Sequence, residues 1–154
     1  MTSTVFVNGV TLTDDDWFND TNSVVYDCLG PSKITNVLAA DVNMTNIANY
    51  FTGPTIAQGS TGTWFVSGYV TLRDENGDAV YYVRLWDGTT VIASTAVKSF
   101  GATIAVTATL SGYIASPAGN LRIDVRDITS TNGNILANQS GLTKDSVISA
   151  FRIA

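Results

Sequence analysis

Apolar residues recur at every second position through most of the chain beyond residue 62. Trp64, Val66, Gly68, Val70 and Leu72 alternate with Phe65, Ser67, Tyr69 and Thr71. Val80, Tyr82, Arg84 and Trp86 alternate with Tyr81, Val83 and Leu85. Thr90 to Val97 continues the pattern, and Ile104, Val106, Ala108 and Leu110 alternate with Thr103, Ala105, Thr107 and Thr109. Leu121, Ile123 and Val125 alternate with Arg122, Asp124 and Arg126, and Val147, Ser149, Phe151 and Ile153 share a face of the last segment. A period of two is the signature of a strand with one face buried. Asn76-Gly77, Asp87-Gly88 and Asn132-Gly133 read as turns between these segments. About eight short strands joined by tight turns predict an all-β, antiparallel sandwich. A jelly roll is preferred to an immunoglobulin fold, whose paired cysteines around a Trp are missing.

Two segments precede this pattern. Residues 33–62 alternate weakly through Ile34, Val37, Leu38, Val42, Met44 and Ile47 and carry the breakers Gly53-Pro54 and Gly59-Ser60-Thr61-Gly62. They are expected to form an extended connecting segment, leaving residues 63–154 as the sandwich. Residues 1–32 read as an arm. Asn8-Gly9 is a hairpin dipeptide between Val5-Phe6-Val7 and Val10-Thr11-Leu12. Thr13 can then cap a short helix, with Asp14, Asp15 and Asp16 at its positive end. Trp17, Thr21, Val24 and Cys28 fall on one face of that helix, and Gly30-Pro31 ends it. An isolated helix of this length is marginal in water, so it needs a surface to dock on.

Charge sharpens this division. The 154 residues carry thirteen acidic and eight basic side chains, a net −5. Residues 1–32 hold Asp14, Asp15, Asp16, Asp20 and Asp27 and no Lys or Arg; residues 33–154 hold eight of each sign. The whole net charge therefore sits in the arm. An acidic balance argues against nucleic acid as the main partner. The chain has no His and a single Cys, which excludes a Ser-His-Asp triad, a His-ligated metal and an intrachain disulfide. Cys28 is expected to be buried. No apolar run reaches membrane-spanning length, so no membrane partner is expected, and the first residues lack a signal-peptide pattern.

Candidate chemistry is sparse. Asp74-Glu75-Asn76-Gly77-Asp78 offers oxygen ligands around a turn, but lacks the spacing of a calcium loop. A solvated hairpin turn is the preferred reading, and no metal or other cofactor is expected. Asp14, Asp15 and Asp16 point in different directions on a first helical turn and suit capping better than a metal. Glycoside hydrolysis needs two facing carboxylates, and the one Glu lies in a turn; the chain is expected not to be an enzyme. Arg84, Arg122, Arg126 and Arg152 lie within strands, where an ordinary charged outer face is the preferred reading and ion pairs with Asp124 and Asp127, between strands or between subunits, are the alternative.

Val7-Asn8-Gly9-Val10-Thr11-Leu12-Thr13, followed by Trp17-Phe18-Asn19-Asp20 and Tyr26, resembles a segment near the start of tailed-phage virion proteins. Val83-Arg84-Leu85-Trp86-Asp87-Gly88-Thr89-Thr90-Val91 is similar to a hairpin of the small β domains of such proteins. No coiled coil, β-helix or repeat follows, unlike a long tail fibre. The resemblance implies a capsid decoration (cement) protein: a homotrimer of jelly rolls on the outer capsid surface, bound to the major capsid protein or another virion protein. It would be made in the host cytoplasm and end in the virion. Val7, Leu12, Trp17, Phe18, Val24 and Tyr26 would anchor it; Phe65, Tyr69, Tyr81, Arg84, Trp86 and Arg126 are candidates for contacts between subunits. The alternative is a short head or tail fibre, or a receptor-binding module, that attaches through the same N-terminal segment and binds host surface glycan.

Overall fold

The computed structural model describes residues 5–7, 10–12 and 33–153. The chain divides into two units, Met1–Ser32 and Lys33–Ala154. In the first, β1 (Val5–Val7) pairs antiparallel with β2 (Val10–Leu12), with Val7 opposite Val10. That register leaves Asn8-Gly9 as the two connecting residues, as the hairpin dipeptide predicts. The helix expected over 13–29, with Trp17, Phe18, Val24, Tyr26 and Cys28, lies outside the described residues.

The second unit is a two-sheet sandwich of ten strands: β3 (Lys33–Val37), β4 (Val42–Met44), β5 (Phe51–Ile56), β6 (Thr63–Asp74), β7 (Ala79–Trp86), β8 (Val91–Ser99), β9 (Val106–Ala115), β10 (Leu121–Asp127), β11 (Gly133–Leu136) and β12 (Val147–Arg152). The twelve-residue β6 is the ruler of the first sheet. β9 runs along one side of it; β12 and β11 share the other side end to end, flanked in turn by β3 and β4. β3 with β4, and β11 with β12, thus each fill one strand position. Eight positions result. The first sheet takes them in the order one, eight, three, six; the second, β5-β10-β7-β8, takes two, seven, four, five. That order, fixed by strand pairing alone, is a jelly roll.

The sheets meet over a core of Trp64, Val66, Val70 and Leu72 from β6, Tyr81, Val83 and Leu85 from β7, and Leu121, Ile123 and Val125 from β10, closed by Ile135, Ile148 and Leu110. Every second residue faces in, so the sequence alternation maps directly onto burial. At one margin Asn36 donates its side-chain amide to the Thr55 carbonyl oxygen (2.7 Å), tying β3 to β5. At the other, β9 lies so near β8 that a Cβ on Gly112 would come within 2.6 Å of the Ile92 side chain.

Three expectations change. Residues 33–62 are not a connector: β3, β4 and β5 complete both sheets, and the sandwich starts at residue 33. They read weakly because they occupy sheet margins, where half of each strand lacks a neighbour and alternation is blurred. Second, the strand expected from Thr103 begins at Val106 and runs to Ala115. Gly101 and Thr103 both have positive φ (98° and 63°), which breaks extended backbone there. Third, Asn132-Gly133 is no hairpin apex; Gly133 opens β11. Its hydrogen is needed for space, because a Cβ would come within 2.5 Å of the Asp127 carboxylate and 2.9 Å of Met44.

The step from β11 to β12 is a ten-residue excursion, 137–146. Ser146 sits fully buried at its neck. Its hydroxyl donates to the Leu136 carbonyl (2.7 Å) and accepts from the Thr71 amide (3.1 Å), replacing the ladder bonds the excursion interrupts. Asp41, in the gap between β3 and β4, accepts the Ala137 amide (2.7 Å). The two gaps lie side by side, and Asp41 in one satisfies a backbone donor in the other.

Candidate functional site

The outward side of β5-β10-β7-β8 carries a cluster of charged and aromatic side chains in mutual contact. Arg84 lies opposite Asp124, Trp86 opposite Arg122 and Tyr82 opposite Arg126 across the β7–β10 ladder. Residues 82, 84 and 86, and 122, 124 and 126, share parity, so all six face the same way. Tyr50, just before β5, joins them. The guanidinium carbon of Arg84 lies 3.5 Å from the Trp86 ring centroid and 3.9 Å from that of Tyr50. Arg122 is 4.5 Å from Trp86; Arg126 is 5.9 Å from Tyr50 and 5.8 Å from Tyr82. Guanidiniums and rings therefore alternate as a continuous cation–π ladder, which favours Arg over Lys.

One carboxylate lies beneath the ladder. Asp124 is buried, accepts the Trp86 indole N–H (2.8 Å), and pairs with Arg84 (3.3 Å) and Arg122 (3.5 Å). Arg126 has no carboxylate partner among the described residues. Three cations over one anion leave the cluster at +2, balanced by −2 over the rest of residues 33–154. Local chain geometry builds the site. The sheet's two register shifts fall beside it: one at Arg122/Asp124, where β5 carries Gly53-Pro54, the other at Leu85/Trp86. Bulges re-aim side chains in this way, and Pro is tolerated because β5 is an edge strand. Gly88 has positive φ (97°), and a Cβ there would meet the Arg122 guanidinium at 3.1 Å. Asp87 holds that turn by accepting the Thr89, Thr90 and Ala118 amides at 2.6–2.8 Å. Burial opposes its ionisation, but those amides outweigh it and hold the Asp87 carboxyl below the usual range.

The outward side of the first sheet is different in kind. Lys33, Phe151, Phe65 and Tyr113 lie directly opposite one another across four strands. The Phe65 ring is 5.0 Å from Tyr113 and 6.2 Å from Phe151. The next row is Thr35, Ser149, Ser67 and Ser111; the next is Val37, Val147, Tyr69 and Thr109. Along these strands the outward charges stand only at the ends of the face, Lys33 at one and Arg73 at the other. Tyr113 is 67% exposed, and Tyr69 spends its hydroxyl on the Lys144 carbonyl (2.9 Å).

Of the residues expected at contacts between subunits, Phe65 and Tyr69 are on the uncharged face and Arg84, Trp86 and Arg126 on the ladder. They do not form one surface. Tyr81 is a correction: it is fully buried in the core, because β7 turns its odd-numbered residues inward and Tyr82 outward. Adjacent tyrosines hide that parity in the sequence. Sequence reasoning placed Arg122 and Asp124 in strands without linking them to Trp86, and it missed Tyr50, which no local signal marks. Asp74 serves its turn: its carboxylate accepts the Asn76 and Gly77 amides (2.7 and 3.0 Å). Asp78 pairs with Lys98 (3.1 Å), and that contact with the Gly101 amide lowers its pKa.

Asp127 faces inward, with Asp74 and the Ser130 hydroxyl beside it. Burial raises its pKa, outweighing the Thr129 and Ser130 amides its carboxylate accepts, and the Asp74 charge adds to the rise. A raised acid is more readily protonated in the folded than in the unfolded state. Its contribution is therefore most favourable at low pH and is lost as pH rises from the ordinary Asp value through the folded one. Asp127→Asn keeps the amide acceptor and removes that loss. Urea denaturation is expected to show a variant at least as stable as wild type at pH 7, with the gain shrinking as pH falls to the ordinary Asp range.

Neither a protein-family model nor a curated protein matches the chain. Among solved structures, Eiger TNF from S. frugiperda is similar at 10% identity over 80% of this chain and 94% of that one, with a TM-score of 0.48. The C-terminal CBM6 of LamC from Zobellia galactanivorans matches at 11% identity over 79% and 100%, TM-score 0.38. The infectious bursal disease virus VP2 subviral particle matches at 13% identity over 96% of this chain and 36% of that one, TM-score 0.39.

Proposed function

We propose that this chain is a virion structural protein, a capsid decoration protein that sits on the outer capsid surface as a homotrimer and stabilises the head. The observation that carries the reading is the outward face of β3-β12-β6-β9, whose middle is uncharged and whose charges, Lys33 and Arg73, stand only at its ends. A solvated sheet face ordinarily carries charges that prevent association. This one presents aromatic, hydroxyl and valine rows in register, while the opposite face holds three arginines. Aromatics with few charges are the composition of an interface core. Trimerisation would bring three N-terminal segments to one capsid site and multiply weak contacts through effective concentration. Trp17 and Phe18 supply the large aromatic anchors.

The test begins with mass in solution. Wild type is expected at three chain masses. Ser67→Lys puts a charge at the middle of the face without touching the core, and is expected to give a folded monomer. Heads assembled without this protein are then mixed with each form and sedimented. The trimer is expected to co-sediment, and the monomeric variant to bind about 100-fold more weakly. A wild-type monomer, or an unchanged Ser67→Lys trimer, overturns the interface; a trimer that ignores heads overturns the decoration reading. The second reading, a fibre or receptor-binding module that takes host glycan, is favoured by the arginine ladder.

A further inference from the structure

We propose that the Arg84–Arg122–Arg126 face binds a linear acidic polysaccharide through its carboxylates. Such binding would supply a ligand for the receptor-binding reading and needs no part of the decoration reading. Arg122 and Arg126 are four residues apart on β10, about 13 Å at the usual strand rise. Arg84 stands opposite Asp124, midway between them. Arg84 stands one strand over, about 5 Å to the side, so the three cations zigzag along the β7–β10 ladder at even Cα steps of about 8 Å. An even row of forks suits a polymer whose anions recur, and the guanidinium fork matches a carboxylate bidentately. The Nε atoms of Arg84 and Arg126 are buried without a hydrogen-bond partner, while that of Arg122 faces the second Asp124 oxygen at 3.5 Å. The cluster is held together by stacking and one shared carboxylate, with its positive charge only partly compensated.

The rings decide what kind of ligand fits. Neutral sugars and nucleic-acid bases are recognised by stacking on open aromatic faces. Here Trp86 and Tyr50 already carry guanidiniums at 3.5 and 3.9 Å. Tyr82, 41% exposed at the margin, is the one ring left largely open, so the face offers chiefly charge and fork geometry. It is also the flat outer side of a sheet; the polar hollow lined by Asn43, Glu75, Asn132 and Asn134 lies on other strands. An acidic peptide would call for side-chain pockets, which a repeating uronate chain does not need. The two outer faces of the sandwich point in opposite directions, so the uncharged one can be covered while this one stays open.

The experiment uses the full-length protein without heads or cells, so its outcome is separate from both functional readings. Binding of oligogalacturonates of one to eight sugars is measured by calorimetry, beside neutral cello-oligosaccharides, poly-glutamate and single-stranded DNA. Affinity is expected to rise with oligogalacturonate length until three carboxylates are engaged, and to fall as salt rises. Arg126→Gln removes the arginine that pairs with no carboxylate among the described residues, so the melting temperature should be unchanged while affinity drops about tenfold. Lys144→Gln, away from the face, should leave affinity unchanged. The proposal is overturned by no binding of the octamer, by equal affinity for monomer and octamer, by tighter binding of poly-glutamate or DNA, or by an Arg126→Gln protein that binds like wild type.

Discussion

Gly68→Ala is expected to destabilise the sandwich by about 3 kcal/mol or more. Gly68 sits midway along β6, facing inward. A Cβ there would lie 2.6 Å from the Val147 carbonyl oxygen, 2.8 Å from the Ile123 side chain and 3.1 Å from the Ile148 Cα. Two of those neighbours are backbone, so no rotamer change relieves them. β12 would have to move off β6, and with it the ladder that closes the last strand position. The urea midpoint should fall steeply, with an unchanged slope if only the folded state suffers. Gly77→Ala is the control: nothing lies within 4 Å of that Cβ, and the shift should stay within about 0.5 kcal/mol. A Gly68→Ala protein as stable as the control would show that the sheets are not packed as described.

The second large effect is at Asp124. Asp124→Ala removes the one carboxylate under three arginines and takes the partner from the Trp86 indole N–H. Losing one member of a buried ion pair costs about 3–5 kcal/mol. Here the arginines keep partial solvent access, so a loss of about 3 kcal/mol is expected. Its signature is salt. In the variant, three like charges face each other uncompensated, and added salt screens them, so it should recover stability as ionic strength rises. Wild type should change less. A loss of the same size without salt dependence would mean that the arginines are not coupled through this carboxylate.

These two residues show which features local sequence can reveal. The alternation in 64–72 and 121–126 identifies strands and even the inward side of each, because a half-buried sheet imposes period two on every strand that crosses it. The hairpin register at Asn8-Gly9 is equally legible, since turn length alone sets which residues oppose. Gly68, by contrast, looks like a weak position in a strand pattern. Only the approach of β12, about eighty residues later in the chain, makes its missing Cβ a requirement. The weak pattern of 33–62 conceals three strands for a related reason: margin strands satisfy one neighbour, and their alternation relaxes accordingly.

Class is therefore written locally: all-β, antiparallel, one sandwich, with the net charge confined to residues 1–32. Those properties follow from composition, period and turn residues, each readable within a window of a few positions. Strand order is not. The pairing order within the expected jelly roll, the inward turn of Tyr81 and outward turn of Tyr82, and the gathering of Tyr50, Arg84, Trp86, Asp124 and two further arginines into one ladder emerge only from the folded chain. Cross-strand neighbours are set by which strands pair and in what register. That choice is made by the whole core at once, because a slip of one residue would turn every apolar side chain of a strand to water.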